Sequence, residues 1–467
     1  MPHRSAYSTL REAYARKAVT PVDVTRSALA HAQVVNKQTN AFALLDEPRA
    51  LEAAQASASR WDAGEPLSLI DGMPITVKEF ASVTGWPTRR GSVLTDPAPA
   101  VQNSVFVSRL RAAGAVLLGK TRAPEFNWKG VTDSPGYGIT RNPWNPDLTP
   151  GGSSGGCAAA VAAGVVRVSI GSDAAGSVRI PAAFTGTIGL KPTFGRIPVV
   201  PFASHFSGLA HFGPIGVSAR DIAEVMETVA GAHPGDWSSS MGNAQCINPS
   251  ATDVSALRIG VLQSADLGPM DVAVQRGWQE LLDGVNRGGL ACQPIRLDVQ
   301  GASKAGAMLY RLGCARSLSN IDNAQYDRMD PGLLEYLQYA GELSLEDYLG
   351  ALAIRDAFAS KLAEVFTQVD VLVLPTVPIL PFRAGINVPP GWPGNDWLSW
   401  NPFTPAFNLA QNPVLSYPVW PSECELPIGI QLVAPALEEG RLLALSSWLE
   451  ERMPLQRGVA ASYRPAV

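Results

Sequence analysis

The sequence predicts an α/β fold built in layers. Short apolar runs such as LRIGVL (Leu257 to Leu262), VDVLVLPTVP (Val369 to Pro378) and PIGIQLV (Pro427 to Val433) have the length and composition of buried strands. Longer stretches of helical character alternate with them, and 43 glycines and 38 prolines punctuate the connections.

Taken in order, residues 5 to 60 read as helices rich in Ala, Leu, Glu and Arg. Thr20 followed by Pro21 marks one start, because the N–H that proline lacks has no partner at a first helical position. PLSLIDGMPITVK (Pro66 to Lys78) turns and enters a strand. Ser104 to Ala113 form a helix stopped by Gly114, and Ala115 to Leu118 form the next strand. Residues 127 to 152, dense in Pro, Gly, Asn and Trp, make a loop. Gly155 to Ala163 read as a small-residue helix and Val165 to Ile170 as a buried strand. Val274, Trp278, Leu281, Leu282 and Val285 share one helical face, a core stripe. Residues 300 to 365 are mainly helical, and Glu438 to Arg452 form the closing helix.

Composition narrows the function. The chain has 467 residues, 46% hydrophobic and 17% charged, enough to bury a large core. Its net charge of −4 and its lack of a basic stripe argue against nucleic acid as a partner. Cys157, Cys246, Cys292, Cys314 and Cys424 are scattered and odd in number. This disfavours a disulfide framework or a zinc site and fits a reducing cytoplasm. MPHRSAYSTLREAYARKAV has no apolar signal-peptide core, and no uncharged apolar run reaches about 18 residues, so no membrane span is expected.

The chemistry begins with TPGGSSGGCAAAVAAG (Thr149 to Gly164). It contains G-x-S-x-G around both Ser153 and Ser154, the signature of an esterase nucleophile elbow. The context opposes that reading. The preceding PWNPDLTP holds three prolines and is a poor strand. The histidines are His3, His31, His205, His211 and His233, and none lies late in the chain, where such a triad needs one. A phosphate loop fails too, because no lysine follows GGSSGG. Ser154 fits best as a cap of the small-residue helix.

A second serine, Ser177, lies in GSDAAGSVRIPAAFTGTIGLKPT. Small residues there let the amides of Ala174, Ala175, Gly176 and Ser177 converge on one point, a nest for a developing oxyanion. Lys78 stands at a strand end in GMPITVKEF. A buried lysine can act as the base where no histidine serves.

These segments resemble the amidase signature family. GMPITVKE, APEFNWKGVTDSPGYGITRNPWNPDLTPGGSSGG, GSDAAGSVRIPAAFTGTIGLKPT, HFGPIGVSARD, FTPAFNLAQNPVLSYP and LPIGIQLVAP arrive in family order across residues 65 to 225 and 365 to 435. The resemblance implies one amidase domain over residues 1 to 467, with a helical insertion at about 300 to 365. It also implies a large mixed twisted sheet between layers of helices. Ser177 becomes the acylated nucleophile, Ser153 a relay joined to Gly152 by a cis peptide bond, and Lys78 the terminal base. Asp173 and Arg179 become a buried ion pair supporting the loop. Asn127 occupies a position whose backbone carbonyl can face substrate, so that its side chain need not matter. Neither metal nor cofactor is implied, and a homodimer is compatible with the family. Two positions depart from the usual pattern: Ala175 replaces the first glycine of D-x-G-G-S, and Glu79 follows the lysine where Asp is commoner.

The implied substrate is a small-molecule carboxamide. Trp392, Trp397 and Trp400 stand either in an apolar substrate pocket or in the core. His211 reads as a packed loop residue and Cys157 as a small helix residue. Two rival functions stay open: the glutaminase component of a tRNA-dependent amidotransferase, and a catalytically silent binding protein.

Overall fold

The computed structural model describes residues 6–201, 206–239 and 247–453. His3, His205 and Cys246 lie outside these residues. The centre is a mixed sheet of eleven strands. From edge to edge they are Phe42–Leu45, Val116–Thr121, Pro74–Lys78, Val168–Asp173, His211–Gly216, Ile188–Lys191, Val414–Val419, Ile428–Val433, Val371–Pro375, Ile259–Leu262 and Cys292–Ile295. Pro74–Lys78 runs parallel to both of its neighbours. The middle of the sheet is antiparallel, and the strands from Val371–Pro375 to Cys292–Ile295 are parallel again.

Strand residues alternate between the two faces. Val116 and Leu118 join a cluster with the helices Pro21–Thr39 and Gly155–Ala162. Leu117, Ile75 and Val77 join the larger cluster, which contains most of the remaining core.

Several expectations hold at the residue level. Thr20 caps Pro21–Thr39, its hydroxyl accepting from the Asp23 amide at 3.1 Å while the Asp23 carboxylate accepts from the Thr20 amide. Gly114, at φ +85°, ends the helix Val105–Ala112. Residues 300 to 365, read as mainly helical, contain the helices Val299–Ser317, Pro331–Glu342 and Leu345–Gln368.

Other expectations are corrected. Within residues 5 to 60, Phe42–Leu45 is an edge strand, not helix. Asn40 turns the chain at φ +51°, and the next residues pair with Val116–Thr121. The strand expected at 165–170 starts only at Val168, because the Val165 amide still bonds back to Ala160 O and closes the helix. His211–Gly216 and Val414–Val419 are central strands although each contains a proline. Pro214 pairs with Ile170 on one side only, since pairing with Ile188–Lys191 on the other covers just Ile215 and Gly216.

Candidate active site

Lys78 and Asp173 are the last residues of adjacent parallel strands and therefore leave the sheet at the same edge. The carboxyl ends of parallel strands are where open α/β sheets hold ligands. The loop ahead of Gly155–Ala162 returns to this edge, and its Gly152–Ser153 peptide is cis. Gly152 has no room for a side chain: a Cβ would lie 2.5 Å from the Val131 carbonyl atoms.

Lys78 Nζ donates to Ser153 Oγ at 2.7 Å and to Ser172 Oγ at 3.1 Å. Lys78 is fully buried, and burial lowers its ammonium from an ordinary 10.5 to about 7, against weaker upward pulls from Cys157, Asp173 and Glu79. Ser153 and Ser177 line one cavity beside it. Among the described residues the Ser177 hydroxyl forms no hydrogen bond. Its carbonyl accepts from the Ser154 amide at 3.1 Å, which ties the two serine loops together.

Ser154 occupies the cap position of its helix, but its hydroxyl does not cap it. That hydroxyl instead donates to Ser172 O at 3.1 Å and accepts from the Ser172 amide at 3.2 Å. The strand end crosses close enough to compete for it, so Ser154 pins the loop to the sheet.

Arg179 and Asp173 are both fully buried and form an ion pair at 2.9 Å. Arg179 also donates to Gln431 Oε1 at 2.7 Å, to Thr404 O at 3.1 Å and to Asn408 Oδ1. Asn408 Nδ2 returns a bond to Asp173 Oδ1 at 2.9 Å. Despite burial, the Arg179 guanidinium and these bonds hold the Asp173 carboxyl well below the usual carboxylate range. A buried pair with every donor and acceptor used is the form in which such charges are tolerated.

The carboxylate also shapes the nest. The Gly176 amide donates to Asp173 Oδ1 at 2.7 Å, so it is not free for an oxyanion as expected. The reason lies in the Ala175–Gly176 peptide: Ala175 O accepts from Asn401 Nδ2 and Thr404 Oγ1, each at 2.7 Å, which turns the N–H of that peptide toward Asp173. Among the described residues the amides of Ala174, Ala175 and Ser177 donate to no protein group. Gly176 itself is required, at φ +111° with a Cβ position 2.2 Å from Thr404 Oγ1.

The cavity holds about 40 Å³. Phe80, Val199, Phe206, Phe212 and Tyr310 supply its apolar wall. Phe80 and Phe212 lie at the ends of the segments GMPITVKEF and HFGPIGVSARD but were not singled out, and Phe206 and Tyr310 lie outside every such segment, so sequence reasoning missed this wall. Trp397 and Trp400 are instead core residues, fully enclosed behind the wall. Trp397 packs edge-on against Tyr310 at 5.6 Å, and Trp400 stacks on Phe184. Their indole N–H groups donate to Trp128 O and Asn387 O, both at 2.9 Å. Trp392 is half-buried and donates to Ser399 Oγ at 3.0 Å.

His211 lies in a strand rather than a loop. It faces the cavity, with Nδ1 2.7 Å from Leu209 O and Nε2 3.3 Å from Lys191 Nζ. Burial, with Lys191 beside it, pushes its imidazolium well below the ordinary value. Cys157 is buried on the small-residue helix, 3.0 Å from Thr121 Oγ1. Asn127 also lines the cavity; it has φ +63°, and its carbonyl accepts from the Tyr310 hydroxyl at 2.6 Å. Among the described residues no group of three or more His, Cys, Asp or Glu could hold a metal ion, and no helix is long and apolar enough to cross a membrane.

Comparison with known proteins places this geometry in context. Residues 23–443 match the family model described as Amidase. The chain is 34% identical over 461 residues to a component of the glutamyl-tRNA(Gln) amidotransferase of Deinococcus radiodurans, covering 92% of this chain and 94% of that one. Its fold matches a bacterial aryl acylamidase of the amidase signature family with a TM-score of 0.91 at 26% identity, over 99% of both chains. It matches a 6-aminohexanoate cyclic dimer hydrolase in complex with substrate with a TM-score of 0.88 at 26% identity, again over 99% of both.

Proposed function

Because the chain belongs to the amidase family, hydrolases acting on carbon–nitrogen bonds, we propose that it cleaves a small carboxamide through an acyl-enzyme on Ser177. The observation that carries this reading is the 2.7 Å contact between fully buried Lys78 and Ser153, in the cavity wall that Ser177 shares.

The steps follow from the residues. With its ammonium at about 7, Lys78 is substantially neutral near neutral pH. The neutral amine accepts a proton from Ser153, which accepts one from Ser177. Ser177 Oγ attacks the carbonyl carbon, and the amides of Ala174, Ala175 and Ser177 stabilise the oxyanion. The proton returns through Ser153 to the nitrogen, the C–N bond breaks and the amine leaves. Water, activated by the same pair, hydrolyses the ester on Ser177. Gly152, Ser154, Asp173, Gly176 and Arg179 hold the loops that carry these groups.

The apolar wall supports an aryl or alkyl amide, and a bacterial aryl acylamidase shares this fold. The amidotransferase relative supports a second reading, glutamine hydrolysis within a complex. Against it stands the wall itself. Glutamine brings an ammonium and a carboxylate that need partners once out of water. Among the described residues the wall offers no uncommitted charge, since Asp173 is engaged by Arg179, Asn408 and the Gly176 amide.

The test is amine or ammonia release from glutamine, short aliphatic amides, aryl amides, anilides and a cyclic amide, by the parent enzyme and Ser177→Ala. Turnover of an apolar amide that vanishes in the variant is the expected result. Turnover of glutamine alone, and only with partner proteins added, establishes the second reading. A parent chain inert throughout that also leaves Ser177 unlabelled by a fluorophosphonate is a silent scaffold.

A further inference from the structure

We propose that the side-chain carboxamide of Asn127 receives the N–H of the scissile amide and so selects primary and secondary amides over esters of the same acid. This assignment rests on the acyl-enzyme reading above.

Asn127 is 9% exposed and lines the cavity that Ser177 lines. Its Oδ1 is buried and has no hydrogen-bond partner, and among the described residues its Nδ2 donates to none. The rest of the residue is held firmly. Its amide donates to Pro124 O at 2.9 Å, and its carbonyl accepts from the Tyr310 hydroxyl at 2.6 Å. Phe126 and Asn127 both take positive φ, +48° and +63°, and the Phe126 amide is bound to Arg90 O at 2.8 Å. Side-chain-bearing residues persist in that region where their surroundings over-determine them, often at functional sites.

The carbonyl expected to face substrate already accepts one hydrogen bond, while the side chain expected to be neutral accepts none. A buried acceptor without a donor carries a desolvation penalty that a ligand donor removes. An amide substrate brings such a donor on the atom that leaves. An ester brings an oxygen without hydrogen, whose lone pairs face Oδ1. Binding the N–H on Asn127 also leaves the nitrogen lone pair for the proton that Ser153 delivers as the C–N bond breaks. A site built around a substrate N–H rejects the analogue that lacks it.

The experiment uses Asn127→Gly, because glycine keeps the positive φ while removing the carboxamide. Three substrates share one short acyl group: the 4-nitroanilide, its N-methyl derivative and the 4-nitrophenyl ester. In Asn127→Gly the anilide-to-ester ratio of kcat/KM falls about 10- to 100-fold, the scale of one unpaired buried acceptor. The preference for the anilide over its N-methyl derivative falls with it. Fluorophosphonate labelling of Ser177 reports that the variant is folded. A ratio within about threefold of the parent, in a variant that labels normally, overturns the assignment while leaving the Ser177 reading intact. A parent that hydrolyses none of the three and leaves Ser177 unlabelled by the fluorophosphonate, or ester turnover that survives Ser177→Ala, overturns both.

Discussion

Replacing Lys78 by Met is expected to stabilise the fold while removing activity. The Lys78 ammonium titrates at about 7 in the folded protein, against an ordinary 10.5 in an exposed chain. A tenfold difference in proton binding is worth about 1.4 kcal/mol, so burying this lysine costs about 4 kcal/mol at neutral pH. Its two hydrogen bonds, to Ser153 and Ser172, offset this by about 1 kcal/mol each. Methionine has similar length and no charge, so Lys78→Met should gain about 2 kcal/mol at about pH 7. The sign of the pH dependence follows from proton counting. Between about 7 and 10.5 the unfolded chain holds the proton that the folded chain has lost, so the parent's stability rises with pH through that window. By about pH 9.5 the cost shrinks to roughly 1.4 kcal/mol and the variant's advantage disappears. Urea unfolding of both proteins at the two pH values measures the difference. A variant no more stable than the parent at neutral pH, or an advantage unchanged at high pH, would refute the claim that Lys78 is held neutral by burial.

The same titration sets the activity profile: kcat/KM should rise about tenfold per pH unit up to about 7 and then level, because only the neutral amine accepts a proton. A flat profile between about pH 5 and 7 opposes Lys78 as the base. Arg179→Met leaves the Asp173 charge buried without its cation and should cost about 3–5 kcal/mol in urea unfolding. Adding Asp173→Asn should recover most of that loss. Gly176→Ala places a methyl 2.2 Å from Thr404 Oγ1 at a positive φ. It should lower kcat by about 100-fold or more through displaced oxyanion donors, with fluorophosphonate labelling slowed in parallel.

The sequence alone determined what is local. Hydrophobic runs located the strands ending at Leu262, Pro375 and Val433, and Thr20-Pro21 located a helix start, because propensity, capping and burial act within a few residues. Ordered motifs singled out Lys78, Ser153 and Ser177, because each stands in a short run of small residues or at a strand end that is read within a few positions. The strand at Phe42–Leu45 and the proline-bearing strands at His211–Gly216 and Val414–Val419 were not legible, because pairing with distant neighbours overrides weak or contrary local preference. Tertiary structure alone decided the partners of Arg179, which include Asn408 and Gln431, 229 and 252 positions away. It also took the Gly176 amide for Asp173, moved Trp397 and Trp400 into the core and built the cavity wall from Phe80, Phe206, Phe212 and Tyr310. Each of these outcomes depends on which distant side chain comes within hydrogen-bonding or van der Waals distance. Periodicity along the chain carries no record of that, since it specifies which face a residue occupies and not what packs against it.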